Sequence, residues 1–492
     1  MDRAALDAIL TVDEVRAVER DHAGADLMER AGIAGARLAA AMASERAGPI
    51  VVLAGPGNNG GDGFVVAREL RRAYFDVAVV FRGDPARLPA DARAAHAAWI
   101  AAGGTTVANP PAGAGALVVD ALFGIGLTRA IDGGYAALVD WANANRAPVL
   151  ALDVPSGLDA DRGNATGPAV RAAATATFIA WKPGLLTGDG LDLAGATSVH
   201  PLGLDVGALD TAGRRLVWTA LDERRPAVFT RARRNVHKGT YGTLAIVGGA
   251  HAMTGAPILA GRAAIRTGAG KTRVGFVATP HPDVDPVAPE LMLSSATHAI
   301  DGADAIVAGP GLGTTDASAN ALRRAIGAGV PIVLDADALN LVSTSLSLAE
   351  AVVRRPASTL ATPHPAEAAR LLGTTTAIVQ RDRLAAARAI AKRLNAHVVL
   401  KGAGSVLAHP DGAWEVNASG NAALASAGSG DVLAGIAGAL LAQGLDAADA
   451  LRYAVCLHGA AADRLVSRGV GPVGVGASEL ADAARALINR AD

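Results

Sequence analysis

A glycine-rich segment with amide and carboxylate side chains lies early in the chain and is suited to binding an anion. It reads AGPGNNGGDG over residues 54–63, directly after an apolar run at 50–53 and directly before a predicted helix at 64–74. Glycine lets the backbone approach a ligand closely, and the start of a helix directs free N–H groups and partial positive charge toward it. The segment therefore favours an anion-binding turn. The alternative is an ordinary β-to-α turn in which Asp62 caps the helix.

Two further predicted strands end in acids, which adds a second kind of ligand. Asp120 and Asp153 each follow directly after an apolar run, and Ser156 stands three residues beyond the second acid. The carboxyl ends of the strands in an open parallel sheet line one crevice, so these side chains are expected to meet Asn59 and Asp62 there. Carboxylate, amide and hydroxyl oxygens suit a hard cation, and the cluster lacks the His or Cys that would select zinc. Each acid alone is equally well explained as a cap, but the cluster favours a binding site.

The second half of the chain carries more such turns, and the last has the groups needed for phosphoryl transfer. Gly428, Ser429 and Gly430 precede a predicted helix and present backbone N–H groups as an anion hole. Asp431, at the start of that helix, is placed to take a proton from an attacking hydroxyl. Alone, the segment is also explained as a capped helix, but other turns accompany it. These are HKGTYG at 237–242, GGA at 248–250, GPGLG at 309–313, TPHPAE at 362–367 and KGAGS at 401–405.

Lysine is rare, and its placement draws attention to the same turns. Only five residues of the chain are lysine, whereas arginine is abundant. Coding bias accounts for the abundance of arginine, but it does not account for the position of Lys182, Lys238 and Lys401 in glycine-rich, turn-like segments.

The elements that must position these groups alternate between strand and helix patterns. A capping box from Thr11 to Glu14 predicts the first helix, and 27–42 is amphipathic. Two series of apolar runs separated by helices then predict parallel strands with right-handed crossovers, hence an α/β fold with a doubly wound parallel sheet. The runs lie at 50–53, 77–81, 116–119, 149–152 and 174–179, and then at 243–247, 305–308, 331–334, 359–361 and 397–400.

Between the two series the periodicity fades and charged residues cluster, as DERRP at 222–226 and RARR at 231–234. This pattern is typical of a linker. A contact of RARR with phosphates is disfavoured because no aromatic platform accompanies it. We predict a first domain at 1–215, a linker at 216–234 and a second domain at 235–492.

Composition excludes several classes of protein. The chain has 492 residues, 51% of them apolar and 18% charged, which excludes disorder and allows two or three domains. A net charge of −1 argues against bulk nucleic acid or an anionic membrane as a partner. The single cysteine, Cys456, excludes an intramolecular disulfide framework and is predicted to be buried. No secretory signal is evident, and the apolar stretch 432–445 is shorter than the ~20 residues of a membrane span. We expect a cytoplasmic protein.

The first-half motifs GPGNNGGDG, DALFGIG at 120–126 and DVPSGLD at 153–159, in this order and spacing, resemble the amino-terminal, Rossmann-like domain of the bifunctional NAD(P)H-hydrate repair enzymes. That domain is an epimerase that interconverts the R and S forms of hydrated NADH and NADPH. The resemblance places Asp153 near the reacting carbon. There the ring nitrogen can expel hydroxide to give an iminium, water can return to the other face, and Asp153 would act as acid and base.

The same resemblance implies a set of contacts for this half. The phosphate-bearing part of the substrate would bind Asn58, Asn59, Gly60, Gly61 and Asp62. The segment that would close over the substrate consists of Gly124, Ile125, Gly126, Leu127, Thr128, Arg129 and Ala130. A potassium ion would be ligated by Asn59, Asp120 and Ser156.

The second half resembles the ribokinase-like fold, and the order of its motifs matches the ADP-dependent NAD(P)H-hydrate dehydratases. The resemblance implies that ADP phosphorylates the ring hydroxyl of the S-hydrate, with Asp431 as the base, and that phosphate is then eliminated to leave AMP and the reduced dinucleotide. The nucleotide would contact Lys401, Gly402, Ala403, Gly404, Ser405 and Gly430. The hydrated dinucleotide would contact Ala256, Gly313, His364 and Asp431.

Several points stay open at this stage. His364 is also explained as a helix cap, because it lies between two prolines ahead of a helix. Mg²⁺ is expected at the phosphates, with Asp335 and Asp337 as weak candidates to hold it. The chain departs from the family pattern at Ala422, where the family usually has Pro, and at Lys271, and Lys271 leaves the choice between ADP and ATP open. The alternatives are a ribokinase-like small-molecule kinase with a stable product and, for the first half, a nucleotide-binding or scaffold module. We expect small-molecule partners and a homo-oligomer.

Overall fold

The computed structural model describes residues 7–113, 115–209 and 211–490. They form two compact units that meet in sequence between Gly213 and Arg214. The outer limits of the predicted domains, residues 1 and 492, lie outside the described residues. The predicted linker, 216–234, does not behave as a solvated connection: its residues Leu216, Trp218 and Leu221 are buried in the core of the second unit. The charged residues of this segment therefore lie next to apolar residues that pack into the second unit.

The first unit is a doubly wound α/β domain. Its strands are β1 (Asp7–Ile9), β2 (Ile50–Ala54), β3 (Val77–Phe81), β4 (Thr106–Val107), β5 (Leu117–Ala121), β6 (Val149–Leu152), β7 (Ala174–Phe178) and β8 (Ala196–His200). Its helices are α1 (Val12–Asp21), α2 (Leu27–Ala43), α3 (Asn58–Arg72), α4 (Ala90–Ala101), α5 (Gly133–Ala144) and α6 (Gly190–Leu193). The predicted capping box on Thr11 starts α1.

The seven-stranded sheet of this unit has the order β4-β3-β2-β5-β6-β7-β8, and its strand pairs are parallel. Strands β2 and β5 are buried along their whole length, as expected for a parallel sheet with helices on both faces. The chain leaves β2 toward β3 on one side and returns to β5 on the other. The carboxyl ends of β2 and β5 therefore flank the switch point at which doubly wound sheets bind ligands.

The second unit is also α/β. Its strands are β9 (Gly213–Leu216), β10 (Thr243–Gly248), β11 (Lys271–Phe276), β12 (Met292–Ser295), β13 (Ala305–Ala308), β14 (Ile332–Leu334), β15 (Thr359–Ala361), β16 (His397–Leu400), β17 (Val406–Ala408) and β18 (Trp414–Asn417). Its helices are α7 (Trp218–Asp222), α8 (Ala227–Thr230), α9 (Gly255–Thr267), α10 (Ala296–Ile300), α11 (Asp316–Gly327), α12 (Asp337–Thr344), α13 (Leu346–Val353), α14 (Pro365–Leu372), α15 (Thr376–Arg381), α16 (Arg383–Leu394), α17 (Ser429–Ala442), α18 (Ala447–Ser467) and α19 (Ala477–Ile488).

Within this unit the strands lie in the order β9-β18-β17-β16-β15-β14-β13-β10-β11-β12. The pairs from β12 to β16 are parallel, and β17 and β18 add an antiparallel edge. Cys456 is fully buried on α18, as predicted. In the described ranges no helix is both long and apolar enough to cross a membrane. The prediction of two α/β domains built on parallel sheets is confirmed.

Candidate active sites

A cavity of about 960 Å³ lies at the carboxyl ends of β2, β5 and β6 in the first unit. Its lining includes much of the predicted substrate site, namely Asn58, Asn59, Asp62, Gly124, Ile125, Gly126, Leu127 and Asp153. Gly60 and Gly61 are buried behind this surface, whereas Thr128, Arg129 and Ala130 are exposed and do not line the cavity. The structure therefore brings the first part of the 124–130 segment to the cavity and leaves the second part on the surface.

The glycine-rich turn after β2 is shaped by close backbone contacts. Gly57 is the N-cap of α3, so Asp62 lies inside the first turns of the helix and the capping alternative for it is wrong. A Cβ atom on Gly55 would lie 1.7 Å from the carbonyl oxygen of Leu122, and one on Gly60 would lie 2.0 Å from that of Gly55. These two positions exclude any side chain, and this lets the turn pack directly against the end of β5.

Asp120 and Ser156 form a buried pair below the cavity. Both side chains are fully buried, and the Ser156 hydroxyl donates to Asp120 Oδ1 at 2.6 Å while the Ser156 amide donates to Oδ2 at 2.8 Å. Burial raises the pKa of Asp120 to about 6, against the hydrogen bonds from Ser156 and from the Leu122 amide, which lower it. The Ser156 Oγ also accepts a hydrogen bond from the Phe123 amide at 2.8 Å, which ties the pair to the 124–130 segment.

Asn59 is the feature that fits a cation at this place. Its side chain is buried, yet within the described residues neither its amide oxygen nor its amide nitrogen has a hydrogen-bond partner. Buried polar groups are nearly always paired, so an unpaired buried amide oxygen fits the role of a ligand to a cation. Asn59 also lies close to Gly124, since a Cβ on that glycine would be 3.4 Å from the Asn59 amide. The oxygen donors suit a hard cation such as potassium.

Asp153 faces the cavity as one half of a buried ion pair. Its φ of 64° lies in the left-handed region, which Asp tolerates better than most residues. Lys182 Nζ lies 2.7 Å from Asp153 Oδ1, and the Ile125 amide donates to Oδ2 at 3.0 Å. Lys182 is fully buried and also donates to the Thr177 hydroxyl and the Phe178 carbonyl oxygen. Sequence reasoning noted Lys182 as an unusual lysine but did not predict this contact.

Asp62 lines the same cavity as Asp153 but has no ion-pair partner like Lys182 among the described residues. Burial raises the pKa of Asp62 well above its ordinary value, and the nearby carboxylates of Asp153 and Glu19 raise it further, against the opposing charge of Lys182. Within the described residues the Asp62 carboxyl group has no hydrogen-bond partner, whereas both oxygens of Asp153 are engaged. The cavity therefore holds one ion-paired carboxylate and one carboxyl group that favours its protonated form.

The second candidate site is a cluster of charges at the start of α17. Lys401 Nζ lies 2.8 Å from Asp335 Oδ1, an oxygen that also accepts from the Thr362 hydroxyl at 2.6 Å. A Cβ on Gly430 would be 3.3 Å from Lys401 Nζ, so the ammonium group lies against the first turn of α17. Burial lowers the pKa of Lys401, but the carboxylates of Asp335 and Glu367 outweigh it, and the net effect is a raised pKa.

Asp431 stands in the first turn of α17, after the N-cap Gly428. The N-cap position itself belongs to Gly428, so Asp431 is not the capping residue of this helix. Burial raises the pKa of Asp431 to about 6, and Asp335 adds to this while Lys401 opposes it. An acid with this pKa is ionised at neutral pH yet basic enough to accept a proton, as a general base requires.

His364 caps a helix, as one of the two sequence interpretations has it. It is the N-cap of α14, where its Nδ1 accepts from the amides of Ala366 and Glu367 and the Glu367 carboxylate accepts from the His364 amide. Burial lowers the pKa of His364, and the positive charges of Lys401 and Arg370 lower it further. The ring is therefore neutral at physiological pH. The effect of Lys401 on its pKa shows that His364 lies near the charge cluster at the start of α17.

The two weak candidates for holding Mg²⁺ are largely engaged by the protein. Both oxygens of Asp337 accept hydrogen bonds, from the Gly313 amide at 2.8 Å and from the Asn340 side chain at 3.2 Å. Asp335 Oδ1 is taken by Lys401 and the threonine described above. Across the described ranges no group of three or more His, Cys, Asp or Glu side chains is arranged to hold a metal ion. Asp337 thus positions the turn of Gly313, which lies near Ala250 and Met253, while Ala256 lies near Gly311 in the same turn.

Comparison with known proteins covers nearly the whole chain. A family model described as YjeF-related protein N-terminus matches residues 24–184, and one described as NAD(P)H-hydrate dehydratase matches residues 244–485. The bifunctional NAD(P)H-hydrate repair enzyme Nnr of Escherichia coli K12 is 39% identical over 97% of this chain and 93% of its own length. The corresponding protein of Coxiella burnetii is 38% identical over 96% of both chains.

A solved structure is similar to the second half. The ADP/ATP-dependent NAD(P)H-hydrate dehydratase of Bacillus subtilis, co-crystallised with ATP/Mg²⁺, is 32% identical over 56% of this chain and 99% of that chain, with a TM-score of 0.48. The two full-length relatives and the two family models show that the chain belongs to the family of bifunctional NAD(P)H-hydrate repair enzymes.

Proposed function

We propose that the first unit epimerises the R and S forms of hydrated NADH and NADPH, and that the second dehydrates the S form with ADP as the phosphoryl donor. The observation that carries the first step is the Asp153–Lys182 ion pair in a 960 Å³ cavity. The cluster of Asp431, Lys401 and Asp335 at the start of α17 supports the second step. A cytoplasmic location and self-association stay predictions.

The epimerase step needs a carboxylate that stabilises a cation and a group that exchanges a proton. Departure of the ring hydroxyl leaves an iminium, and a negative charge held beside it lowers the barrier. Asp153 fits this role because Lys182 and the Ile125 amide hold its carboxylate in place at the cavity. We assign the acid–base role, which the resemblance gives to Asp153, to Asp62 instead. The raised pKa of Asp62 suits it to give a proton to the departing hydroxide, and its carboxylate would take one from the returning water.

Potassium fits the donors below this cavity. Asn59 offers an unpaired amide oxygen, Asp120 a buried carboxylate, and Ser156 Oγ keeps one lone pair after its hydrogen bond from Phe123. We propose that these three residues hold the ion. When bound, it would neutralise the buried charge of Asp120 and fix the amide of Asn59 beside Gly124. Asn58 to Asp62 and the 124–130 segment would then hold the rest of the substrate.

In the second unit, the residues of this chain supply a base, a counter-charge and an anion hole. Asp431 would take the proton of the substrate hydroxyl while the hydroxyl oxygen bonds to the terminal phosphorus of ADP. The bond between that phosphorus and the oxygen that stays with AMP would break in the same step. Amides at the start of α17 and the ammonium of Lys401 would stabilise the phosphoryl oxygens, with the nucleotide bound along 401–405 and Gly430. Ala256, Gly313 and His364 would contact the hydrated dinucleotide. The ring nitrogen then expels phosphate, a far better leaving group than hydroxide, and loss of a proton from the neighbouring ring carbon restores the reduced dinucleotide.

We propose that Mg²⁺ arrives with the nucleotide phosphates and is not held in advance by the protein. Its contribution, once bound, would be to neutralise charge between the phosphates. Both oxygens of Asp337 and one oxygen of Asp335 are already engaged, so Asp335 Oδ2 is the carboxylate oxygen left to face it.

The test is the identity of the products. Hydrated NADH with ADP and Mg²⁺ should yield NADH, AMP and phosphate in equal amounts, measured by absorbance and by ³¹P NMR. Asp431→Asn should abolish all three products while leaving interconversion of the epimers unchanged. A stable phosphorylated dinucleotide, with no NADH, would contradict the dehydratase proposal and support a kinase.

A further inference from the structure

Arg383 is a buried arginine beneath the segment that we propose to bind the nucleotide. It is the first residue of α16, is 2% exposed, and faces the turn between β16 and β17. Its Nη2 donates to three backbone carbonyl oxygens, those of Leu400 at 3.2 Å, Lys401 at 3.3 Å and Gly404 at 3.4 Å. Its Nη1 donates to the side chain of Gln380 at 2.6 Å. One guanidinium group therefore binds the carbonyl group before the 401–405 turn and two within it, those of Lys401 and Gly404.

The direction of these carbonyl groups fixes the direction of the next amides. In a trans peptide the C=O and the following N–H point to opposite sides of the chain. Because the carbonyls of Lys401 and Gly404 point to Arg383, the amides of Gly402 and Ser405 point away from it. Within the described residues neither amide donates a hydrogen bond, and neither residue is buried. Two free N–H groups are thus presented on the face opposite the arginine.

Gly402 and Arg383 fit each other closely. Gly402 has a φ of +134°, and a Cβ at this position would lie 3.0 Å from Nη1 and 3.1 Å from Nη2 of Arg383. Any side chain at residue 402 would therefore be strained and would press on the guanidinium group. Burial lowers the pKa of Arg383 to about 10, which still leaves it charged at physiological pH.

We infer that Arg383 is a positioning residue for the nucleotide: it holds the carbonyls of the 401–405 turn on one side so that the amides of Gly402 and Ser405 face the phosphates. This inference rests on the proposed function of the turn. A planar fork with several donors suits three separate acceptors, whereas a lysine ammonium is a single compact charge on a flexible stem. Arg383→Lys is therefore expected to restore only part of the effect.

The experiment measures binding of ADP with Mg²⁺ to the full chain by titration calorimetry. Arg383→Met is expected to weaken ADP binding about tenfold or more, the scale of losing charge-assisted hydrogen bonds, and Arg383→Lys by less. The KM for the hydrated dinucleotide should stay within about twofold. Arg355→Met is the matched control, because Arg355 also donates to two backbone carbonyls of this unit, those of Ile326 and Val330, but away from the turn.

A measurement on the unaltered chain keeps the test independent of folding defects. The amide resonances of Gly402 and Ser405 should shift on addition of ADP, and unchanged resonances at saturating ADP would overturn the inference. Wild-type ADP affinity in a folded Arg383→Met variant would overturn it as well, as would an equal loss in Arg355→Met. If the unaltered chain bound no nucleotide at all, the proposed function of the turn would fall, and this inference with it.

Discussion

Lys182 offers a direct test of how the first site is built, through replacement by methionine. The side chain of Lys182 is fully buried, and its ammonium group lies 2.7 Å from Asp153 Oδ1. Methionine fills similar volume but leaves the Asp153 carboxylate without its counter-charge in a site that is mostly shielded from water. Removing one partner of a buried pair costs about 3–5 kcal/mol, because the remaining charge stays desolvated. The ratio of folded to unfolded first unit should fall by a factor of roughly 10² to 10⁴.

The assay is native-state hydrogen exchange in increasing urea, followed in peptides that cover β6 and β7. Peptides from the second unit serve as an internal reference. Arg72→Met is the matched control in the same unit, since Arg72 is 62% exposed in its pair with Glu69 and such pairs contribute about 1 kcal/mol or less. Asp153→Asn combined with Lys182→Met should be more stable than Lys182→Met alone, because no unpaired buried charge remains. A loss below about 1 kcal/mol for Lys182→Met would refute the reasoning.

Two further predictions concern the reacting groups. Burial raises the pKa of Asp431 to about 6, and a general base must be ionised to act. The kcat/KM of the dehydratase should therefore be level above pH 6 and fall about tenfold per pH unit below it. A profile that stays level down to pH 5 would exclude Asp431 as the base. A Cβ at Gly124 would lie 2.7 Å from Asp153 Oδ2, so Gly124→Ala should displace the carboxylate and slow epimerisation at least tenfold. An unchanged epimerisation rate in a folded Gly124→Ala variant would contradict this geometry.

The strand pattern and the first site were largely predictable from the sequence. Apolar runs separated by helices fix a parallel sheet, and a parallel sheet brings the residues after its strands to one edge. For that reason Asp153 and Asn59 reach the cavity as predicted, with Asp120 and Ser156 paired just below it. The function itself followed from motif resemblance, which the full-length relatives bear out.

The features that sequence reasoning missed depend on contacts between distant residues. Lys182 follows β7 and meets Asp153 only because β6 and β7 are neighbours in the sheet. Arg383 lies in an ordinary helical pattern, and nothing local shows that its guanidinium group reaches the carbonyls of the 401–405 turn. The prediction of a solvated linker differs from the structure at Trp218 and Leu221, which are buried in the core of the second unit. Charged residues flank both positions in the sequence, so the apolar pattern that would indicate burial is not apparent there.

If the two sites of this chain act on the two epimers of one metabolite, repair of a mixture of the epimers must depend on both sites. A mixture of R and S hydrated NADH is given ADP and Mg²⁺, and recovery of NADH is followed with the unaltered chain and with Asp153→Asn. The unaltered chain should recover the whole mixture in one fast phase. Asp153→Asn should recover the S fraction at the same rate and the R fraction only as fast as it epimerises spontaneously. Full, fast recovery by Asp153→Asn would contradict the account.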